Sequence, residues 1–167
     1  MENIATLAGG CFWGMEALFR KIPGVLDTEV GYCGGDASTA AYTLVKTGDT
    51  GHAEALQIKF DPGVVSYAQI LDFFFRVHDP STKNRQGGDV GTQYRSVIFF
   101  HDDEQRAQAQ TMIETVEKSG AWGAKISTEL VPVSKFFPAE AYHQDYLEKN
   151  PDGYTCHFVR KLPSFIA

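Results

Sequence analysis

The most constraining stretch of the chain is Ser66–Pro80, a helix whose boundaries and buried face are both written locally. Ser66-Tyr67-Ala68-Gln69 is a capping box, in which the Ser hydroxyl and the Gln side chain each satisfy a free backbone N–H. Tyr67, Ile70, Leu71, Phe74, Phe75 and His78 then share one face, and Asp79-Pro80 ends the run. A helix with so broad an apolar face needs a sheet or a second helix to cover it.

The neighbouring segments supply the sheet. Strands are expected at Ile4 to Ala8, Val25 to Tyr32, His52 to Phe60 and Tyr94 to Phe100. A first helix is expected from Phe12 to Ile22, stopped by Pro23-Gly24. The order βαββαβ is that of the ferredoxin-like split βαβ unit. A helix after Asp102 closed by Gly120, a strand over Ile126 to Val133, and a helix over Pro138 to Lys149 follow, then a coil from Asn150 to Ala167. The expected fold is an α+β two-layer sandwich with an added C-terminal αβα and a coil tail. With 167 residues, no repeat and no linker, it forms one domain over 1–167. Two loops, about Cys33 to Gly51 and Asp79 to Gln93, are too long to be simple connections and are expected to build a site.

A net charge of −6 without a basic cluster argues against nucleic acid as a partner. Met1 to Thr6 lacks the basic n-region of a signal peptide, and no apolar run approaches the length of a membrane span. Three cysteines, an odd count without an export signal, are expected to be reduced at rest in a cytoplasmic setting. Any disulfide would then be transient and catalytic.

Cys11 follows a strand and Gly9-Gly10 and begins a helix, where free N–H groups and the helix dipole favour a thiolate. A Cys-x5-Arg phosphatase loop is excluded by Ala17, and a Cys-x-x-Cys pair by Gly14. Three cysteines without a close pair argue against zinc. A papain-type base remains open, since His52, His78, His101, His143 and His157 are all present. Phe12 and Trp13 point in different directions on a helix, so at least one is free to wall an apolar niche beside the sulfur, suited to a methyl or thioether group.

Glu54 lies on the strand face of Leu56, Ile58 and Phe60, where burial raises a carboxyl pKa as a general acid requires. Pairing with Arg95, or a solvent-facing strand end, is the alternative. Tyr42 and Tyr94 offer uncharged donors, and Asp89 lies in the second long loop. Cys156, in a turn-rich tail, is placed to reach an oxidised Cys11, and Cys33 is a second candidate for that task.

Gly10-Cys11-Phe12-Trp13-Gly14 resembles the signature of the peptide methionine sulfoxide reductase A family. The similarity continues through Gly31-Tyr32, Gly34-Gly35, Gly48 to Ala55, His78-Asp79-Pro80, Gln86 to Ser96, His143-Gln144 and Asn150-Pro151. The resemblance implies that Cys11 attacks the sulfur of methionine-S-sulfoxide, free or in oxidised proteins. It implies that Glu54 protonates the oxygen, Tyr42 and Tyr94 hydrogen-bond it, Phe12 and Trp13 hold the methyl group, and Asp89 positions the substrate. It further implies a Cys11 sulfenic acid, a Cys11–Cys156 disulfide and recycling by thioredoxin, with no metal or organic cofactor, in a monomer that repairs oxidised proteins. Cys33 stands as an extra redox thiol. A different Cys-dependent hydrolase or acyl transferase, or a module that binds methionine-containing peptides without turnover, are the competing readings.

Overall fold

The computed structural model describes residues 3–166. Met1, Glu2 and Ala167, the ends of the segment read as carrying no export signal and of the C-terminal coil, lie outside the described residues. The strand β1 (Asn3–Gly9) leads into α1 (Phe12–Phe19) and β2 (Val25–Cys33). The first long loop contains a 3-10 turn at Ala37–Thr39 and a single helical turn, α2 (Tyr42–Val45), before β3 (Ala53–Phe60) and α3 (Tyr67–Val77). The second folds into a small hairpin, β4 (Arg85–Gln86) and β5 (Asp89–Val90), and a 3-10 turn at Thr92–Tyr94. Then come β6 (Ser96–Phe100), α4 (Asp103–Ser119), β7 (Glu129–Pro132), β8 (Phe136–Pro138) and α5 (Tyr146–Lys149).

Six strands form one sheet in the order β7-β6-β1-β3-β2-β8. Every neighbouring pair is antiparallel except β6 with β7. The four central strands, with α1 and α3 as crossovers, carry the βαββαβ order read from the sequence. Helices cover one face of the sheet. There Leu7, Val30, Leu56, Ile58 and Phe60 pack with Met15 and Phe19 of α1, Phe74 and Phe75 of α3, and Met112 and Val116 of α4. On the other face Ala8, Cys33, Ala53, Ala55, Val97 and Phe99 form a smaller core, covered by Val131, Val133 and Phe136.

Local signals fix the two long helices. In α3 the Ser66 hydroxyl accepts from Gln69 N–H at 3.1 Å and the Gln69 side chain accepts from Ser66 N–H at 2.8 Å, the reciprocal capping box. In α4 Asp102 accepts from Gln105 N–H at 2.8 Å, and Gly120 closes the helix at φ 68°. Helix α1 ends at Phe19, short of Ile22, because the chain tightens into i→i+3 bonds from Lys21 and Ile22.

The expected helix over Pro138 to Lys149 is replaced by the end of β8, a 3-10 turn at Ala141–His143, and α5. Distant partners outweigh local propensity here. Ala139 N–H bonds to Val30 O at 2.9 Å, and the Gln144 amide bonds both Val30 N–H and Val30 O, at 2.9 and 2.8 Å. Asp145 then turns left-handed, at φ 54°, to donate its N–H to Glu16 Oε1 at 2.7 Å. The expected strand over Ile126 to Val133 contracts to β7, and Tyr94 ends a 3-10 turn rather than opening β6.

From Asn150 the chain is coil and runs back over the helical layer. His157 Nε2 reaches Gly9 O at 2.7 Å, Arg160 N–H reaches Arg76 O at 2.9 Å, and Phe165 N–H reaches Asp72 Oδ1 at 2.6 Å. Among the described residues no helix is long and apolar enough to cross a membrane.

Candidate active site

The turn from β1 into α1 places Cys11. Gly10, at φ 99°, makes the reversal, and a Cβ there would strike the Gln86 side chain. Cys11 occupies the N-cap of α1 without a side-chain cap of its own. The cap is supplied across the sheet: Phe12 N–H donates to Glu54 Oε1 at 3.1 Å. The even face of β3 thus carries Glu54 into the core side of the sheet, as alternation required, and there it is 2% exposed. Arg95 does not pair with it; that guanidinium bonds Thr92 O, Gly51 O and, at 3.3 Å, Glu129.

Cys11, Phe12, Trp13, Tyr42, Glu54, Asp89 and Tyr94 line one cavity of about 280 Å³, closed by Tyr154 from the tail. Seven residues singled out from the sequence therefore meet in one place. The Trp13 indole is fixed twice, donating to His143 Nδ1 at 3.0 Å and stacking on Tyr146 with ring centroids 3.8 Å apart and planes 9° apart. The Tyr42 backbone N–H donates to Glu140 Oε2 at 2.9 Å, while Tyr32 OH donates to Oε1 of the same carboxylate at 2.8 Å. Asp89 accepts from Tyr154 OH at 3.3 Å and from the Cys156 thiol at 3.8 Å. Cys156 is thus tied to the cavity wall.

The electrostatics of the cavity disfavour charge. Burial pushes Glu54 up to about 8, Asp89 adds to the shift, and the Phe12 amide opposes it. Burial, then the Glu54 charge, pushes the Cys11 thiol up as well. The helix start was expected to favour a thiolate; in this dry niche burial acts the other way, against the lowering effect of the Trp13 backbone hydrogen bond. Burial and the Glu54 charge also raise the Tyr42 and Tyr94 phenols, which remain protonated donors.

Cys33 lies elsewhere, fully buried on the opposite face of the sheet with its sulfur 3.8 Å from Ser134 Oγ. None of the five histidines lines the cavity. His52 bonds Gly35 N–H and Asp36 O, His78 bonds Phe74 O and Ser96, His101 bonds Thr6, His143 bonds Trp13, and His157 bonds Gly9 O. A larger cavity of about 590 Å³, bordered by Lys83, Arg95, Ser96, Lys125, Ser127 and Glu129, has no cysteine in its lining. Among the described residues no group of three or more His, Cys, Asp or Glu side chains is arranged to hold a metal ion.

Sequence reasoning missed the supporting residues His143, Tyr146 and Glu140, whose roles depend on long-range contacts. It also missed Tyr154, which lies in irregular coil where no strand or helix period marks the residues that face a cavity.

Residues 3–164 match the family model described as peptide methionine sulfoxide reductase. Peptide methionine sulfoxide reductase MsrA 1 of Mesorhizobium japonicum is 55% identical over 162 residues, covering 95% of this chain and 92% of that protein. The crystal structure of Mxr1 from Saccharomyces cerevisiae in reduced form superposes with a TM-score of 0.91 at 43% identity, over 96% of this chain and 93% of that one. Mxr1 in complex with Trx2 matches with a TM-score of 0.65 at 30% identity, over 96% and 91% of the two chains. A family match over residues 3–164, with identity of this extent on the same fold, means that the chain belongs to the peptide methionine sulfoxide reductase family.

Proposed function

We propose that the protein reduces the S epimer of methionine sulfoxide, free or in oxidised proteins, with Cys11 as nucleophile and Glu54 as acid. The observation that carries this reading is a thiol and an uncharged carboxyl opening onto one aromatic cavity, with the Phe12 amide holding one carboxyl oxygen. That amide occupies Oε1, which leaves the proton on Oε2. Phe12 and Trp13 take the S-methyl group, Tyr42 and Tyr94 hydrogen-bond the sulfoxide oxygen, and Asp89 helps to position the substrate.

Glu54 protonates the oxygen, which makes the sulfur electrophilic. The Cys11 sulfur attacks it, the thiol proton returns to the Glu54 carboxylate, and the S–O bond breaks as hydroxyl passes to Cys11. Methionine leaves and Cys11 remains as sulfenic acid. Cys156 then displaces the hydroxyl as water to give a Cys11–Cys156 disulfide, which thioredoxin reduces; a relative crystallised with Trx2 supports that choice of reductant. The cycle uses no metal or organic cofactor. A cavity lined from one chain supports the reading of a monomer, and dependence on reduced thioredoxin supports a cytoplasmic setting.

The test uses the two epimers of dabsylated methionine sulfoxide with dithiothreitol. Loss of the S epimer alone is expected; survival of both epimers overturns the proposal.

A further inference from the structure

The tail brings a second functional side chain beside the reacting sulfurs. His157 is buried, 7% exposed, and its Nε2 lies 2.7 Å from Gly9 O, two residues before Cys11. A carbonyl only accepts, so Nε2 carries the ring proton and Nδ1 presents a lone pair. The Cys156 sulfur lies 3.9 Å from that Nδ1. Gly14 of α1 makes room for this arrangement, because a Cβ there would collide with His157 Nδ1 and Thr155 Oγ1.

We infer that His157 is the base of the second chemical step, taking the Cys156 thiol proton onto Nδ1 as the sulfur attacks Cys11. The inference rests on the reading above, in which Cys156 resolves a sulfenic acid on Cys11. The Cys156 thiolate displaces the hydroxyl of Cys11, an S–S bond forms and the S–O bond breaks. The hydroxyl leaves as water with a proton from Glu54. The imidazolium then loses its proton to solvent, and Glu54 regains one from solvent. The sum is one sulfenic acid and one thiol giving one disulfide and one water.

Asp89, the other group on the Cys156 sulfur at 3.8 Å, is the poorer choice. Its negative charge opposes a thiolate beside it and adds to the burial that raises the Cys156 thiol. An imidazole becomes cationic on accepting the proton, and so stabilises the thiolate it creates. Burial, reinforced by Arg160, keeps His157 neutral at rest and therefore able to accept.

His157→Gln keeps an amide N–H for Gly9 O but has no basic nitrogen. Single turnovers with substrate, quenched by alkylation and read by mass spectrometry, give the rates of methionine and of Cys11–Cys156 disulfide formation in one sample. The ratio of disulfide rate to methionine rate is expected to fall about tenfold or more in His157→Gln, with Cys11 sulfenic acid trapped by dimedone. Added imidazole is expected to restore part of that ratio in His157→Ala. An unchanged ratio in His157→Gln overturns the inference. So does failure of imidazole to accelerate His157→Ala, which would reduce His157 to packing. If the unsubstituted protein itself forms no methionine, or a disulfide lacking Cys156, the reading of the cycle fails instead.

Discussion

Cys11 and Glu54 are two acids competing for charge in the same dry space, and their proton inventory sets the chemistry. Burial favours the protonated form of both, which leaves no isolated charge in the cavity, and in the proposed cycle the departing oxygen takes its proton from Glu54. Glu54→Gln keeps an acceptor for Phe12 N–H but removes that proton. The single-turnover reductase rate is expected to fall about 10²–10⁴-fold with little change in substrate binding, measured by rapid quench. The reductase rate of the unsubstituted protein should decline as pH rises through about 8, where Glu54 loses its proton. Stability follows the same sign. The folded-state value is raised from 4.5 to about 8, so the stabilising contribution is complete below 4.5 and lost as pH rises toward 8. Glu54→Gln, which cannot ionise, should therefore gain urea resistance relative to the unsubstituted protein across that window. A constant difference in urea midpoint would contradict this.

At the scale of elements, legibility tracked the range of the forces. The helices α3 and α4 were readable because their caps, faces and stops lie within a few residues of one another. The face of Glu54 was readable because strand parity is local. The segment after β8 was not, because Gln144 and Asp145 answer to Val30 and Glu16, more than 110 residues away in sequence. That segment then carries Tyr146 to the Trp13 ring, so a misread element is what orients a residue singled out from the sequence. Tyr146→Ala removes a stacked pair worth about 0.5–1.5 kcal/mol, and is expected to raise KM about two- to tenfold while leaving kcat nearly unchanged. Gln144→Ala strips both bonds from Val30 at the sheet edge and is expected to cost about 1–3 kcal/mol in urea unfolding.

Across the whole molecule, the sheet separates two thiols that sequence alone left as rivals. Cys11 opens onto the helical face, whereas Cys33 sits in the small core of the opposite face. A disulfide needs its two Cα atoms within about 7 Å and its Cβ vectors converging, and side chains leaving opposite faces of a sheet diverge. The tail meets the requirement differently. It is tied down at His157, Arg160 and Phe165 and, at the other end, by the Asn150 bonds to Tyr146 of α5, so 150–156 is a short span held at both ends, with Cys156 next to the anchor beside Gly9. Bringing that sulfur to Cys11 requires releasing the contacts of Tyr154 and Cys156 with Asp89, not unfolding the sheet. Cys33→Ala is accordingly expected to sustain thioredoxin-dependent turnover, whereas Cys156→Ser should release about one methionine per enzyme and then stall until a small thiol is added. In the reduced protein, iodoacetamide should label half-exposed Cys156 before Cys11, and reach Cys33 only in denaturant. Stalling of Cys33→Ala under thioredoxin, with recovery in dithiothreitol, would place the resolving thiol on the far face and require the sheet to open during each cycle.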